Sequence, residues 1–584
     1  MPRIAIVRKD RCNPIGCGNY LCARVCPVNM EGKDCITPDP VTKKAVIDEH
    51  LCTGCGICPN RCPFEAIYIT NLPESLSEPI HRYGRNGFHL YRLPVPKLGT
   101  VVGLIGRNGI GKSTTLKILS GQVVPNLGTD KDATIQDVIQ RFKGTEAQAF
   151  FEKMRDEKIA ISYKPQQVDL IPLKTKGKVE DLLRKVDERN QFDHVIDQLD
   201  LKHILHNTVE TLSGGELQRV AIAACALKQA TIYAIDEPTS YLDIKQRLRM
   251  SRFLRTLPNE ETGVLLVDHD LIILDSVTDQ VHLVYGKEAA YGIVSFPKTS
   301  REGINTYLSG FIRDENMRFR DKPITFQARP PTDAKKLNLL TSWSNITKKQ
   351  GHFTLEAPTG SLYRQEVVGV LGENGIGKTT FIKILARVEK PDTGEIDQGV
   401  RVSYKPQYLD SASDEPVLTI LQDAVSKYNI QLIQPLELNH LLTKPINQLS
   451  GGELQRVAIA KCLSQDAELY VLDEPSAYLD VEQRLAASKA IRDIAYSHSK
   501  TILVVDHDLL FIDYVSDRLL VCEGQPARHG TVHGPFRMED GMNRFLKGID
   551  LTFRRDPETK RPRANSPGSR LDREQKENGK LYYS

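Results

Sequence analysis

Three short segments occur twice in this 584-residue chain, in the same order and at nearly the same spacing. A glycine-rich loop, GRNGIGKS from Gly106 and GENGIGKT from Gly372, precedes LSGGELQR at 212–219 and again at 449–456, and an Asp-Glu-Pro segment follows each. Lys112 and Lys378 stand 266 residues apart, whereas Ser213 and Ser450, like Glu237 and Glu474, are 237 apart. The first copy therefore carries 29 extra residues between loop and LSGGELQR. Gln166 follows Lys112 by 54 residues and Gln407 follows Lys378 by 29, which puts 25 of the extra residues between about Val124 and Ala160. The period is a whole domain rather than a solenoid unit, so two copies of one domain are expected.

Both loops have the form G-x-x-x-x-G-K-[ST] and lie between an apolar strand (TVVGLIG, EVVGVLG) and a helix (STTLKILSG, TTFIKILAR), the context that makes this pattern a phosphate site. Around Asn108, Gly109 and Gly111, and around Asn374, Gly375 and Gly377, backbone amides can wrap phosphates at a helix N-terminus. Lys112 and Lys378 would reach the terminal phosphates, Ser113 and Thr379 would offer a hydroxyl to magnesium, and Thr114 and Thr380 complete the nucleotide-binding set. Two apolar strands, TIYAID and ELYVLD, end at Asp236 and Asp473, placed to hold the metal shell. The next residues, Glu237 and Glu474, would polarise the attacking water as general bases. Two more strands end in a repeated Asp-His-Asp, whose His269 and His507 would contact the γ-phosphate region and join the glutamates as catalytic residues.

Nine of the twelve cysteines fall within the first 62 residues. Cys52, Cys55, Cys58 and Cys62 with Pro63 spell the C-x2-C-x2-C-x3-C-P run of bacterial-type ferredoxins, and Cys12, Cys17, Cys22 and Cys26 with Pro27 form a looser run of the same ending. In a two-cluster unit each fourth cysteine crosses over, so one 4Fe-4S cluster would take Cys52, Cys55, Cys58 and Cys26, the other Cys12, Cys17, Cys22 and Cys62. A pair of zinc sites is the alternative, since C-x2-C is also zinc spacing. By count Cys35 has no ligand role and reads as a buried thiol, as do Cys225, Cys462 and Cys522 in apolar surroundings. No flavin or nicotinamide fingerprint extends a redox chain. A structural role for the clusters is therefore expected, supplying folding energy to a unit of about 75 residues.

The two loop-to-histidine sets resemble ATP-binding cassette domains. That resemblance implies that Gln166 and Gln407, in the repeated YKPQ, link magnesium to the outer lobe. It also implies that Tyr241-Leu242-Asp243 and Tyr478-Leu479-Asp480 cross a dimer interface. Cassettes of this kind pair head to tail, so Lys112 would share a nucleotide with Ser450, Gly451 and Gly452, and Lys378 with Ser213, Gly214 and Gly215. A Ser-Gly-Gly turn opening a helix suits that task, being a second amide-rich anion cradle. Aromatics about 25 residues before the lysine stack on adenine in this fold; Phe88 and Phe353 fit, with Tyr83 as a second candidate in the first copy.

A ferredoxin-like head joined to two cassettes resembles the RNase L inhibitor family, ABC subfamily E, over essentially the whole chain. The fold class implied is multidomain α/β, a ferredoxin-like two-cluster iron–sulfur domain plus two P-loop ABC-type nucleotide-binding domains arranged head to tail. The function implied is ribosome recycling: an ATPase that enters the intersubunit space after termination with a release factor or its stalled-ribosome paralogue, whose ATP-driven closure pushes the head and splits the subunits, and that afterwards stays on the small subunit. Domains are expected at 1–76, 77–300 and 336–540, with hinges at 301–335 and 541–556. The first hinge's Gly303, Asn305 and Gly310 recur as Gly541, Asn543 and Gly548, and a Pro-rich linker runs from Pro323 to Pro331. The extra segment, about 124–160, reads as two helices broken at Lys143-Gly144, the second opening on a Thr145/Gln148 capping box. In the family such an insertion contacts ribosomal RNA; a solvated hairpin is the alternative. Residues 557–584, rich in charge and poor in apolar side chains, read as disordered.

The net charge of +4 announces no nucleic-acid binder, so RNA contact must come from local patches. No stretch has the roughly 18 apolar residues of a membrane helix, and MPRIAIVRKDRC lacks a signal peptide's apolar region. A cytoplasmic monomer needing ATP, magnesium and two clusters, with no membrane partner, is expected. The rivals are an ATP-gated electron-transfer protein and a transporter ATPase.

Overall fold

Short Val/Ile-rich runs such as Val101–Ile105, Ile232–Asp236 and Gly263–Val267 are apolar at nearly every position, as strands buried on both faces must be, and each is buried throughout. They form the parallel centre of a sheet in the order 280–287, 101–105, 263–267, 232–236, 161–164, extended beyond 280–287 by 291–294, 89–91 and 81–82. The second copy repeats this order as 518–525, 367–371, 501–505, 469–473, 402–405. In each the phosphate loop leaves the carboxyl end of the central strand beside the strands that deliver the Asp-Glu pair and the histidine. Open parallel sheets bind ligands at this edge.

The computed structural model describes residues 3–48, 51–71, 78–84, 86–129, 131–326, 338–397, 399–407 and 412–582. The expected boundary at 76/77 and much of the Pro-rich linker lie outside them. Two compact units emerge: Met1–Pro238 with Phe253–His269 and Val277–Pro323, and Thr239–Arg252 with Asp270–Ser276 and Ile324–Ser584. Thus the segments that follow Asp-Glu-Pro and Asp-His-Asp in the first copy group with the second copy.

The cysteine-rich head pairs Arg3–Val7 with Ile67–Asn71 and Ile36–Pro38 with Ala45–Ile47, joined by helical turns Leu21–Arg24, Pro27–Met30 and Ile57–Arg61. Its core is small, and four of its eleven buried members, Cys22, Cys26, Cys35 and Cys58, are thiols. Ligation there would therefore supply folding energy that apolar area alone does not. The inserted segment forms helices Ile135–Arg141 and Glu146–Arg155, broken at Gly144 with φ 81°. Phe150, Phe151 and Val138 of these helices pack into the first sheet's core.

Two expectations need correction. The capping box belongs to the first inserted helix, where the Thr134 side chain accepts from Asp137 N and Asp137 accepts from Thr134 N. At the second helix Thr145 instead donates to Phe142 O and Gln148 accepts from Gly144 N. The tail 557–582 is ordered: Phe553–Arg555 pairs with Pro562–Ala564, and helix Arg570–Asn578 follows, with Phe553, Leu581 and Arg561 buried. Composition misled because buried ion pairs hold this segment, with Arg563 forked on Asp275 and Arg561 beside it.

Candidate functional site

The helix after each loop, Lys112–Leu119 or Lys378–Leu385, is opened by a glycine in the left-handed region, Gly111 at φ 96° or Gly377 at φ 93°. A Cβ there would stand 2.8 Å from the ring of Phe88 or Phe353, so glycine is required by backbone and by space alike. Lys112 Nζ donates to the carbonyls of Gly106 and Arg107, and Lys378 Nζ to those of Gly372 (3.0 Å) and Glu373 (2.7 Å). The loop is thus wrapped around its own ammonium group, near the position phosphates require. Asn108 and Gly109 lie in the first loop, where Ala289 N donates to Gly109 O (2.9 Å), and Ala527 N repeats the contact on Gly375 O (2.9 Å). Asn374 N donates to Asp243 Oδ2 (2.9 Å) within the second unit. Thr114 Oγ1 lies 3.3 Å from Tyr83 Oη, and Thr380 donates to Gln350.

Asp236 and Asp473 end their strands fully buried, with Ser113 and Thr379 among the groups that favour their charged forms. Burial, then the neighbouring glutamate's charge, pushes both carboxyls up to about 6. Glu237 and Glu474 behave oppositely. Burial alone would raise them, but the adjacent His269 or His507, then Lys112 or Lys378 and the glutamine, hold each at about 2. Gln166 Nε2 donates to Glu237 Oε1 (2.7 Å) and Gln407 Nε2 to Glu474 Oε1 (2.8 Å). His269 Nε2 stands 3.5 Å from Glu237 Oε1 and His507 Nε2 stands 3.4 Å from Glu474 Oε1. Both glutamates sit at φ 47°, a left-handed conformation costly for a side-chain residue and typical of functional sites.

Four residues that the sequence reading passed over hold these acids. Lys164 Nζ and Lys405 Nζ donate to the carbonyls of Asp236 (2.8 Å) and Asp473 (2.7 Å). Gln218 and Gln455, inside LSGGELQR, donate to the carbonyls of Glu237 and Glu474 (both 2.6 Å). Their signal was present in the repeats YKPQ and LSGGELQR, read there only for Gln166, Gln407 and the Ser-Gly-Gly turn.

A nucleotide with magnesium fits what is left over. Asp236 Oδ1, both carboxylate oxygens of Asp473 and both ring nitrogens of His269 and His507 are buried without a hydrogen-bond partner. Such atoms are costly unless a ligand satisfies them. Ser213 and Ser450 cap helices Gly214–Leu227 and Gly451–Ser464 in boxes closed by Glu216 and Glu453. The glycines at 214, 215, 451 and 452 supply the first, unsatisfied amides of those helices. Tyr83 is 49% exposed, whereas Phe88 is half buried against Gly111 and Gly292.

In the head, Cys12, Cys17, Cys22 and Cys62 line one cavity with Tyr20 and Ile67. Burial, then the neighbouring Cys52, Cys22, Cys55 and Cys26, pushes the Cys58 thiol up to about 12. The four thiols around the cavity are those expected for one of the two clusters. Among the described residues no three Cys, His, Asp or Glu side chains converge on a single-ion position, and thiols surrounding a cavity suit a polynuclear cluster better than one zinc ion. Cys35 is buried at about 12 beside Cys26. Cys225, Cys462 and Cys522 are buried thiols with no ligand neighbours among their described partners.

The fold and site define an ATP-binding cassette ATPase with two cassettes and an iron–sulfur head. The family model "ABC transporter" matches residues 96–240 and 355–477, and "4Fe-4S binding domain" matches 45–68. An ABC transporter E family member 1 of Arabidopsis thaliana is 44% identical, covering 100% of this chain and 99% of its own length. Among solved structures, a model of ribosome-bound archaeal Pelota and ABCE1 matches at TM-score 0.95 and 50% identity, covering 100% of this chain and 99% of that one. An archaeal ribosome recycling factor, aABCE1, in complex with the ribosomal stalk protein aP1, matches at TM-score 0.82 and 50% identity over 87% and 99%. The chain belongs to ABC subfamily E, the RNase L inhibitor family. Among the described residues no helix is long and apolar enough to cross a membrane.

Proposed function

We propose that this chain is a cytoplasmic ribosome recycling factor, an ATPase that splits ribosomes into subunits together with a release factor or its stalled-ribosome paralogue. The observation that carries the reading is the likeness over the whole chain, head included, to an archaeal protein seen on a ribosome. Two intact hydrolytic sets support it. Glu237 and Glu474 are ionised beside His269 and His507, so each carboxylate can accept a hydrogen bond from the attacking water and orient it. Lys112 and Lys378 would exchange their loop carbonyls for phosphate oxygens, while Gln166 and Gln407 keep each glutamate aimed. Magnesium, when bound, neutralises phosphate charge; Ser113, Asp236 and Gln166, with Thr379, Asp473 and Gln407, are the residues that would hold it.

In this reading each nucleotide lies between one copy's loop and the other's signature, Lys112 with Ser450 and Lys378 with Ser213. A phosphate held by one copy alone would keep uncompensated charge. Closure would then work on the head, while the inserted helices and the hinges at 301–335 and 541–556 meet small-subunit RNA. The test is a gradient separation of whole ribosomes with ATP, release factor and the cluster-loaded protein. Free subunits are expected; intact ribosomes would overturn the proposal.

A further inference from the structure

Asn86 lies in the loop between Tyr83 and Phe88, yet its bonds go to the iron–sulfur head. Asn86 Nδ2 donates to Ala5 O (2.8 Å) and Ile47 O (2.9 Å), and Oδ1 accepts from Ile47 N (2.8 Å). Its own carbonyl accepts from Val7 N (3.0 Å). The residue is 3% exposed and left-handed at φ 54°, a conformation asparagine tolerates better than other side-chain residues. Four bonds thus join one loop residue to two strands of the head, at the places where Arg3–Val7 and Ala45–Ile47 offer backbone groups.

The other side of the same phosphate loop is tied to the head as well. Ala289 N holds Gly109 O, and two residues earlier Lys287 Nζ lies over the Tyr68 ring at 3.8 Å. Tyr68 Oη in turn accepts from Arg11 (3.1 Å). In the second copy Ala527 N repeats the bond to the loop, on Gly375 O, and the residue two before it is Gln525 rather than a lysine. Aligned on Phe88 and Phe353, Gly351 stands in the place of Asn86, left-handed at φ 59° and facing open space.

We propose that Asn86, whose place in the second copy is taken by Gly351, is a positioning residue that couples occupancy of the first nucleotide site to the iron–sulfur head. The inference rests on the reading of Tyr83 and Phe88 as the adenine-contacting loop. A base that orders this loop also orders the Asn86 backbone and side chain, hence the strands they bond. By linkage, the head must return the same factor to nucleotide affinity.

The test uses the full chain with clusters loaded and the second site disabled by Lys378→Ala. Asn86→Gly deletes the side chain while keeping the left-handed backbone unstrained. It is expected to weaken Mg-ADP binding about 5- to 150-fold, the usual range of such couplings. It should also abolish a nucleotide-dependent rise in amide protection at Val7, with iron content per chain unchanged. Wild-type affinity in Asn86→Gly would overturn the coupling. So would a parent protein whose Val7 and Ile47 amides exchange equally with and without Mg-ADP, a measurement that decides even if the glycine variant loses its clusters. A Tyr83→Ala/Phe88→Ala variant of undiminished affinity overturns the adenine reading. If that variant weakens binding while Asn86→Gly does not, the coupling alone fails.

Discussion

Asp275→Asn should loosen the C-terminal segment without touching either nucleotide site. Asp275 is 5% exposed and receives Arg563 through Nε at 2.6 Å and Nη2 at 3.0 Å, with Arg561 Nη1 at 3.4 Å. Arg561 is completely buried, and its Nε and Nη2 have no other partner. Removing one member of a buried ion pair costs about 3–5 kcal/mol, because the charge left behind stays desolvated. Asp556 still faces Arg563 at 3.5 Å, and asparagine keeps one acceptor, so the lower end, about 3 kcal/mol, is expected. At 1.36 kcal/mol per tenfold, that lowers exchange protection of the segment roughly 150-fold. The amides to follow are Phe553, bonded to Leu581 O, Asp556, bonded to Arg561 O, and Asn565, bonded to Thr552 O. Protection unchanged within threefold, with the helix Met538–Gly548 as internal reference, would refute the claim that buried ion pairs rather than apolar area order this tail.

Glu237→Gln and Glu474→Gln should each slow ATP hydrolysis at their own site by about 10²- to 10⁴-fold while leaving nucleotide bound. Single-turnover assays of the two variants are expected to give unequal residual rates, and equal rates would remove the asymmetry. Mg-nucleotide affinity should fall as pH drops through about 6, where Asp236 and Asp473 take up protons while Glu237 and Glu474, at about 2, remain ionised. The sign for stability is the reverse. A carboxyl raised from 3.8 to about 6 stabilises the metal-free fold when protonated, so that fold weakens as pH rises between those values; a flat melting profile from pH 4 to 6 would contradict it. Gly111→Ala puts a Cβ 2.8 Å from the Phe88 ring at φ 96°, and equilibrium dialysis should show nucleotide lost from the first site with the second retained.

Much of both sites could be read from the sequence because their chemistry fixes residue type and spacing together. A phosphate loop needs glycine where the backbone turns left-handed and lysine one step later, and both copies meet that need with nearly identical letters. What could not be read was held by partners distant along the chain. Arg561 and Arg563 look like solvated charges until Asp275, 286 and 288 residues earlier, is placed beside them. Asn86 looks like a turn residue until Ala5 and Ile47 supply its partners, 81 and 39 residues away. The misplaced capping box is a different failure. Thr134/Asp137 and Thr145/Gln148 both have capping-box spacing, and Gln148 is drawn instead to Gly144 N by the tight left-handed break.

Those distant partners also explain how a duplicated engine becomes asymmetric without altering its catalytic letters. Glu237 and Glu474 share φ, glutamine partner and histidine distance within 0.1 Å, so the chemistry of the two sites has no built-in difference at the acid itself. The difference is in the loops that frame each site. In the first copy those loops are also structural members of the head, through Asn86 and Lys287; in the second the corresponding glycine faces open space. By the coupling proposed for Asn86, whatever orders these strands of the head also appears in nucleotide affinity at Lys112.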